Sequence, residues 1–307
     1  MPPTLPPRIQ TDTHVWEAFR YHSRTFSMAA RLLPRRVQMP IATLYLFCRR
    51  VDTLADQEVL TIGPEAALEE ADLLRHKLDR TLAGHPPEAF LWQQLARVHE
   101  EFDLVPEALF ELLDGAEWDL LGRTVRTKAD LIHYSNLVGG SVGVMMLPFL
   151  VRERGEVDRL EASARRMGIA MQLTNILRDV GEDMKTLERV YLPLTWMEAQ
   201  ELPLQTLQGG QVPAGYPSLL EAVMEEAEQR YASCMHDIDA LPFQVRMGIR
   251  AAGRMYREIM NEVRARNYDN LTQRAYVPFW RKAVLVVRDG YARRKSHLQQ
   301  TEPARLA

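Results

Sequence analysis

Helical periodicity along nearly the whole chain is the feature that most restricts its fold. Apolar residues recur at spacings of three and four, and no stretch shows the strict alternation typical of a half-buried strand. The pattern predicts helices at 14–32, 40–59, 64–83, 88–103, 106–122, 127–153, 157–185, 217–239, 243–267 and 274–298. The sequence therefore predicts an all-α protein.

The 307 residues are enough for one large domain or two small ones. The stretch 202–217, rich in Gly, Pro and Gln, is the only long predicted loop, but the helices after it have apolar faces that need a partner. We therefore expect a single helical domain over residues 14–299. Residues 1–13, which contain several prolines, and residues 300–307 are expected to form a disordered arm and tail.

Composition and charge exclude several classes of protein. Lys and Arg total 38 against 41 Asp and Glu, so the net charge of -3 gives no reason to expect nucleic acid binding. Cys48 and Cys234 are the only cysteines, which argues against a disulfide framework or a zinc site. Prolines near the N-terminus interrupt the apolar run of a signal peptide, and the most apolar window, 137–151, is shorter than the roughly 20 residues of a membrane span. We expect a cytoplasmic protein.

Two predicted helices each carry a row of polar side chains along one face. Members of a row are separated by three or four residues, which places them on the same side of a helix. The rows are Tyr45, Arg49, Asp52 and Asp56 in helix 40–59, and Gln172, Asn175, Asp179 and Asp183 in helix 157–185. One such row alone is usually a solvated surface. Two rows on otherwise apolar helices favour a bound cation, because like charges four residues apart repel each other.

The donor types in these rows indicate which cation is expected. Carboxylate and amide oxygens without clustered His or Cys favour a hard ion, Mg²⁺ or alternatively Mn²⁺, at Asp52, Asp56, Asn175, Asp179 and Asp183. Mg²⁺ is commonly shared between carboxylates and the phosphates of a substrate. Basic residues that can meet a phosphate are close in sequence, namely Arg49, Arg50, Arg178 and Arg189. The sequence thus predicts a phosphorylated substrate with an apolar tail.

Three glycines interrupt an apolar helical run. Gly139, Gly140 and Gly143 each cost about 1 kcal/mol relative to Ala inside a helix, so a specific role must offset that cost. Close packing against another helix is one explanation. A bend or close approach that makes room for a ligand is the other, and the sequence leaves both open.

Several motifs, in this order and spacing, resemble those of the squalene and phytoene synthases. They are "HSRTF" at 22–26, "YLFCRRVDTLAD" at 45–56, "YSNLVGGSVGVMM" at 134–146, "QLTNILRDVGED" at 172–183 and "RVYLP" at 189–193. With "AAGRMYREIM" in the C-terminal half, the resemblance covers most of the chain. The chain is most similar to the phytoene synthases. The resemblance implies an isoprenoid-synthase helical fold around a central substrate tunnel.

The same resemblance implies a reaction and a set of site residues. Two geranylgeranyl diphosphates would be joined head to head through a cyclopropyl (prephytoene) diphosphate to give phytoene, a step of carotenoid biosynthesis. The four aspartates would bind the metal and, with Tyr256, act in catalysis. The expected substrate-binding residues are Ser23, Thr25, Phe26, Tyr45, Arg49, Val138, Gly139, Gln172, Asn175, Arg178, Tyr191 and Arg274. Thr53 stands where phytoene synthases commonly carry a second acid, which places only a supporting role of that position in doubt.

Other functions remain open at this point. A squalene or dehydrosqualene synthase would use the C15 farnesyl diphosphate, and a non-catalytic scaffold relative would have eroded acidic motifs. Ala30 and Ala42, if they line the far part of the tunnel, favour C20 tails, and NADPH is then not expected. The apolar and basic segment 279–295 further suggests peripheral membrane association.

Overall fold

A computed structural model describes residues 11–278, apart from 32, 152 and 240, together with residue 281. These residues form helices and connections and no strand. The helices are α1 Asp12–His22, α2 Arg24–Ala30, α3 Arg35–Thr53, α4 Val59–Ile62, α5 Pro64–Leu82, α6 Phe90–Phe102, α7 Pro106–Leu120, α8 Lys128–Ser135, α9 Ser141–Leu150, α10 Gly155–Thr186, α11 Leu194–Ala199, α12 Leu204–Leu207, α13 Tyr216–Ile238 and α14 Phe243–Ala265. The all-α prediction is confirmed. Among the described helices, none combines the length and apolarity needed to cross a bilayer.

The longest helix, α10, organises the core. It packs against α8, α9, α13 and α14, and buried side chains such as Leu160, Leu173 and Leu177 occur along its whole length. The remaining helices continue the same apolar cluster, which includes Phe19 in α1 and Phe47 in α3. Because α10 is covered on several sides, only one of its faces remains available for polar side chains.

The glycines of the apolar run allow two helices to approach closely. A Cβ added at Gly139 would overlap the carbonyl oxygen of Gly168 in α10, and one added at Gly143 would overlap the carbonyl oxygen of Ala164. Gly168 in turn faces the backbone of Gly139. Close helix packing, the first explanation given by the sequence, is therefore correct here. Gly139, Gly143 and Gly168 also line a cavity, so the second explanation, room for a ligand, stays a prediction for them.

Two helical segments contain a π-helical turn. One, Leu54–Glu58, joins α3 to α4, and the other, Asn136–Gly140, joins α8 to α9. The Val59 amide bonds to the Leu54 carbonyl, five residues back, which is the π pattern. Such turns insert one extra residue into a helix and often occur at functional sites. Here they carry Asp56 and Gly139.

Three parts of the helix prediction are wrong. The predicted helix 14–32 breaks at Ser23, whose hydroxyl accepts a hydrogen bond from the Phe26 amide and starts α2. Residues 274–278 are not helical, because Val277 precedes a proline and this disfavours helical backbone, while Ala275 and Val277 pack inward. Helices α11 and α12 are short and were not predicted. The tails 1–10 and 282–307 lie outside the described residues.

Candidate active site

Both polar rows face one cavity of about 1050 Å³. Asp52 and Asp56 approach it from α3 and the following π-helical turn, and Asp179 and Asp183 approach it from α10. Away from these carboxylates the wall is mainly apolar; its apolar members include Phe26, Ala30, Val138, Val142, Met146, Met167, Met171 and Ile249. The cavity thus combines an acidic and basic end with an apolar interior, as a charged group with a hydrocarbon tail requires.

Arg189 connects the two rows. Its Nη1 atom lies 3.1 Å from Asp56 Oδ1, and its Nη2 atom donates to the Ala55 carbonyl at 2.8 Å. The Arg189 amide donates to the Asp183 carbonyl oxygen at 3.3 Å. A residue just beyond α10 therefore contacts the last acid of each row.

Asp179 is paired with two arginines. Arg178 donates to it through Nε at 2.8 Å and Nη2 at 2.5 Å, and Arg274 donates through Nε at 2.7 Å. Arg274 is 51% exposed and also lies 3.3 Å from Glu182. Both guanidinium groups line the cavity, where a diphosphate can accept from the same donors.

The segment that carries Arg274 is held against α10 at Gly181. The Gly181 amide donates to the Asn270 carbonyl at 3.1 Å, and the Asn270 side chain donates to the Leu177 carbonyl at 2.6 Å. A Cβ at Gly181 would overlap the Leu271 carbonyl oxygen. Glycine in "DVGED" therefore allows the close approach that places Arg274 beside Asp179.

Burial, together with neighbouring negative charge, raises the pKa of several acids in the cavity. Desolvation, together with the Asp56 charge, raises the pKa of Asp52 to about 7. Desolvation and the charges of Asp179 and Asp56 likewise raise the pKa of Asp183 to about 7. The effect of Asp56 on Asp183 shows that the two rows interact electrostatically across the cavity. A cation placed between the rows would relieve this repulsion.

Two orphaned polar atoms show what the site can bind. Asn175 donates its amide to Gln172 at 3.2 Å, but its Oδ1 atom is buried without a partner and can serve as a metal ligand. Arg49 Nε is also buried without a partner and can donate to a phosphate. Within the described part of the chain, no three His, Cys, Asp or Glu residues lie close enough to hold a metal alone. This donor set fits a divalent cation that completes its coordination with substrate oxygens.

Asp119 is a buried acid that sequence reasoning missed. Its carboxylate accepts hydrogen bonds from Tyr134 at 2.9 Å and from Tyr191 at 2.8 Å, and the two rings stack 4.7 Å apart. Burial raises the pKa of Asp119 to about 6, while Arg189 opposes that rise. The signal was present, because Asp119 continues the buried positions Leu112 and Ala116 of α7 at helical spacing. This network holds Tyr191 against the cavity.

Most, but not all, of the predicted substrate-binding residues line the cavity. Those that line the cavity are Phe26, Tyr45, Arg49, Val138, Gly139, Gln172, Asn175, Arg178, Tyr191 and Arg274, and the predicted catalytic residue Tyr256 lines it as well. Ser23 is not among them, because its hydroxyl caps α2. Thr25 lies in α2, but its side chain is outside the described residues. Thr53 does not line the cavity, and its hydroxyl donates to the Arg49 carbonyl at 2.7 Å.

One of the two predicted tail residues does not line the cavity. Ala30 does so, between Phe26 and Leu33 of the same wall. Ala42 is fully buried among core side chains and is absent from the lining, so the prediction for it is wrong. The reason is rotational: Ala42 follows the lining residue Ile41 by one position, which turns it about 100° away on the helix.

A helical fold that surrounds an apolar cavity with two facing aspartate rows defines the isoprenoid synthases. Residues 19–281 match the model of the squalene/phytoene synthase family, and the chain belongs to this family. It is 39% identical to the phytoene synthase of Rhodobacter capsulatus, over 88% of this chain and 78% of that protein. It is 33% identical to the phytoene synthase of Thermus thermophilus, over 92% and 93%. The crystal structure of a dehydrosqualene synthase superposes with a TM-score of 0.82, at 29% identity, over 92% of this chain and 96% of that one.

Proposed function

We propose that the protein joins two molecules of geranylgeranyl diphosphate head to head to form phytoene. The first ionisation breaks a C1–O bond, and the double bond of the second substrate attacks the allylic cation. Loss of a proton closes a cyclopropyl diphosphate. Its ionisation, rearrangement and loss of a second proton give the C40 triene, with two diphosphates released. No hydride is added, so NADPH is not required.

The residues at the acidic end would bind and orient the two diphosphates. Arg49, Arg178 and Arg274 are the donors that line this end. Asp52, Asp56, Asn175, Asp179 and Asp183 would hold Mg²⁺, with Mn²⁺ as the alternative. When bound, the metal supplies positive charge that stabilises departing diphosphate. Gln172, which bonds to Asn175, would fix the orientation of that amide.

The cavity walls and Tyr256 would control water and protons. Apolar side chains around the tails exclude water that would otherwise quench a carbocation. Tyr256 packs against Phe26, with ring centroids 5.6 Å apart, and burial raises the pKa of its phenol. It is therefore a neutral donor at physiological pH, and departing diphosphate is the better proton acceptor.

The observation that carries this proposal is the convergence of both aspartate rows on one apolar cavity. The test is incubation of purified protein with Mg²⁺ and either C15 or C20 prenyl diphosphate, with and without NADPH. Gas chromatography and mass spectrometry would identify the hydrocarbon. We expect phytoene from the C20 substrate, independent of NADPH. A reaction restricted to C15 substrate, or the absence of any hydrocarbon, would contradict it.

The C15 reaction is the second candidate, because a dehydrosqualene synthase shares the fold closely. The C15 and C20 substrates carry the same diphosphate group and differ only in the length of the hydrocarbon tail. The acidic end therefore cannot distinguish them, and the interior of the cavity must do so. Ala30 leaves space beside Phe26 that a large side chain would fill, and this supports the C20 substrate. A scaffold function would predict no turnover with either substrate.

We further propose that the protein binds membranes peripherally, where its apolar substrates and product reside. The basic and apolar segment 279–295 would contact the surface. Of that segment only Arg281 is described, and it pairs with Glu258 at 3.2 Å. Flotation with anionic liposomes at low salt should recover the protein in the lipid fraction. Complete absence from that fraction would reject this proposal.

A further inference from the structure

The π-helical turn Asn136–Gly140 is held closely between two helices. Its Gly139 lies against α10, because a Cβ added at Gly168 would overlap the Gly139 carbonyl oxygen. Its Val138 lies against α7, because a Cβ added at Gly115 would overlap the Val138 side chain. Both Val138 and Gly139 line the cavity. A shift of the turn would therefore move part of the cavity wall.

Side chains of the turn and of the residue after it take part in its hydrogen bonding and packing. The Ser141 amide donates to the Asn136 carbonyl, five residues back. The buried Ser141 hydroxyl donates to the Leu137 carbonyl, the group that this amide would bond in a regular α-helix. The Asn136 side chain folds over Gly140, where an added Cβ would overlap its Oδ1 atom. The position of the Asn136 side chain is therefore coupled to the conformation of the turn.

Arg165 of α10 connects that side chain to α7. It donates to both carboxylate oxygens of Glu111 on α7, at 2.6 and 3.0 Å, and this bidentate geometry restricts the guanidinium to one orientation. Its Nη1 atom also lies 3.3 Å from Asn136 Oδ1. We name Glu111, Arg165 and Asn136 the π clamp. None of these three residues lines the cavity, so the π clamp lies behind the wall that the turn forms.

The turn contacts the acidic end of the cavity through Gln172. A Cβ added at Gly139 would lie 2.7 Å from Gln172 Cβ, so Gln172 packs directly on the turn. The Gln172 side chain accepts from Asn175 Nδ2 at 3.2 Å, which leaves the buried Asn175 Oδ1 atom to bind a cation. Arg165 and Gln172 are seven residues apart, about 10 Å along α10. A continuous series of contacts thus joins Glu111 to Asn175.

We propose that Glu111 and Arg165 are positioning residues for the cation. Through Asn136 they hold the π-helical turn against Gln172, and Gln172 keeps Asn175 Oδ1 directed towards the cation. The proposal rests on the proposed function for the presence of a cation and diphosphate at this end of the cavity. Replacing residues that orient a metal ligand without touching the metal typically lowers metal affinity by about 10- to 100-fold.

The test measures binding of Mn²⁺ in the presence of inorganic diphosphate by electron paramagnetic resonance, which requires no turnover. Arg165→Met and Asn136→Ala should each weaken Mn²⁺ binding by about tenfold. Asn136→Asp keeps an oxygen for Arg165 and should bind Mn²⁺ as the wild type does. Glu161→Gln is the matched control, because Glu161 accepts from Arg165 Nε at 2.9 Å but contacts neither α7 nor Asn136 through that bond. It should also keep the wild-type affinity.

A double-mutant cycle tests the route through Gln172. If the π clamp acts through this residue, Asn136→Ala should have little further effect on Mn²⁺ affinity in a Gln172→Ala background. Independent sites would instead give additive losses. Melting temperatures of the same variants distinguish a general loss of packing, which would lower stability and leave the Mn²⁺ affinity of the folded protein unchanged.

The outcomes separate this proposal from the proposed function. Wild-type Mn²⁺ affinity in Arg165→Met and Asn136→Ala, an equal loss in Glu161→Gln, or additive losses in the cycle would each overturn the positioning role. If Arg165→Met does not fold, Asn136→Ala and Asn136→Asp provide the same comparison. Wild-type protein that binds Mn²⁺ and responds to these substitutions as expected, but forms no hydrocarbon from C20 diphosphate, would contradict the proposed function alone.

Discussion

Arg189 and Asp56 form an ion pair, with 3.1 Å between Nη1 and Oδ1. The same Nη1 atom lies 3.8 Å from Asp119 Oδ2, and the arginine side chain is only 17% exposed. One cation thus balances an acid of the first row and the buried acid that orients Tyr134 and Tyr191. This arrangement links the C-terminal end of α10 to α7 and to the π-helical turn after α3.

Replacing Arg189 with Met should destabilise the protein by about 3 kcal/mol, because two carboxylates in a desolvated site lose their shared cation. Urea denaturation followed by circular dichroism would measure the change. Arg189→Lys retains the charge but not both hydrogen bonds, and it should recover part of the stability. A stability of Arg189→Met equal to that of the wild type would show that Asp119 and Asp56 do not depend on this residue.

Replacing Gly181 with Ala should impair the site without touching a charged residue. The new Cβ would displace the Leu271 backbone and with it Arg274, at a cost of about 1–3 kcal/mol. Turnover should fall by about tenfold or more, because a donor at the acidic end moves. Gly155→Ala is the control in the same helix, since nothing lies within 4 Å of the added Cβ. Equal turnover in the two variants would contradict the proposed docking role of Gly181.

The parts of this site that sequence reasoning predicted are those encoded within one helix. The spacing of Asp179 and Asp183 is a local property, so both rows could be recognised without knowledge of the fold. The docking of Leu271 on Gly181 joins residues 90 positions apart, and no local pattern indicates it. The spacing of Asp119 in α7 was a local signal of burial, but its tyrosine partners lie in α8 and beyond α10, so its role could not be read from that spacing. Each π-helical turn adds one residue to a helix. This changes the spacing of apolar residues too little for the turn to be predicted from the sequence.

Metal-free protein should show a pH-dependent penalty from Asp183. Its folded-state pKa of about 7 exceeds the ordinary value of 3.8, so the folded protein holds this proton more tightly than the unfolded chain. Stability is therefore lost as pH rises from about 4 to about 7. In EDTA, Asp183→Asn should raise the melting temperature at pH 8 and change it little at pH 4.5. The same difference at both pH values would contradict this explanation.

From like-charge repulsion within the rows, the sequence predicts that metal-free protein tolerates Asp52→Asn and Asp179→Asn or even gains stability from them. The structure changes that expectation for Asp179, because Arg178 and Arg274 both donate to it. Removing its charge takes this carboxylate from Arg178 and leaves Arg274 with Glu182 alone. Asp179→Asn should therefore lower the stability of the metal-free protein, and its melting temperature in EDTA is the measurement. A raised melting temperature would mean that repulsion within the row outweighs the two ion pairs.

Replacing Ala30 with Phe should shift substrate preference from C20 to C15. The ring would occupy cavity space beyond Phe26 while leaving the acidic end unchanged. Competition between the two diphosphates should yield more C30 and less C40 hydrocarbon. Ala42→Phe is the comparison, because Ala42 lies in the core outside the cavity and should lower stability without this shift. An unchanged preference in Ala30→Phe would remove the structural support for the C20 substrate.

The central claim is that the two aspartate rows form one catalytic site, and turnover of Asp52→Asn and Asp179→Asn with C20 diphosphate tests it most directly. A neutral amide cannot replace a metal-binding carboxylate, so each variant should lose at least about a thousandfold in kcat. Circular dichroism would establish that both remain folded. Asp72→Asn, an exposed carboxylate on α5, serves as the control and should match the wild type. Near wild-type turnover in either row variant would contradict the claim.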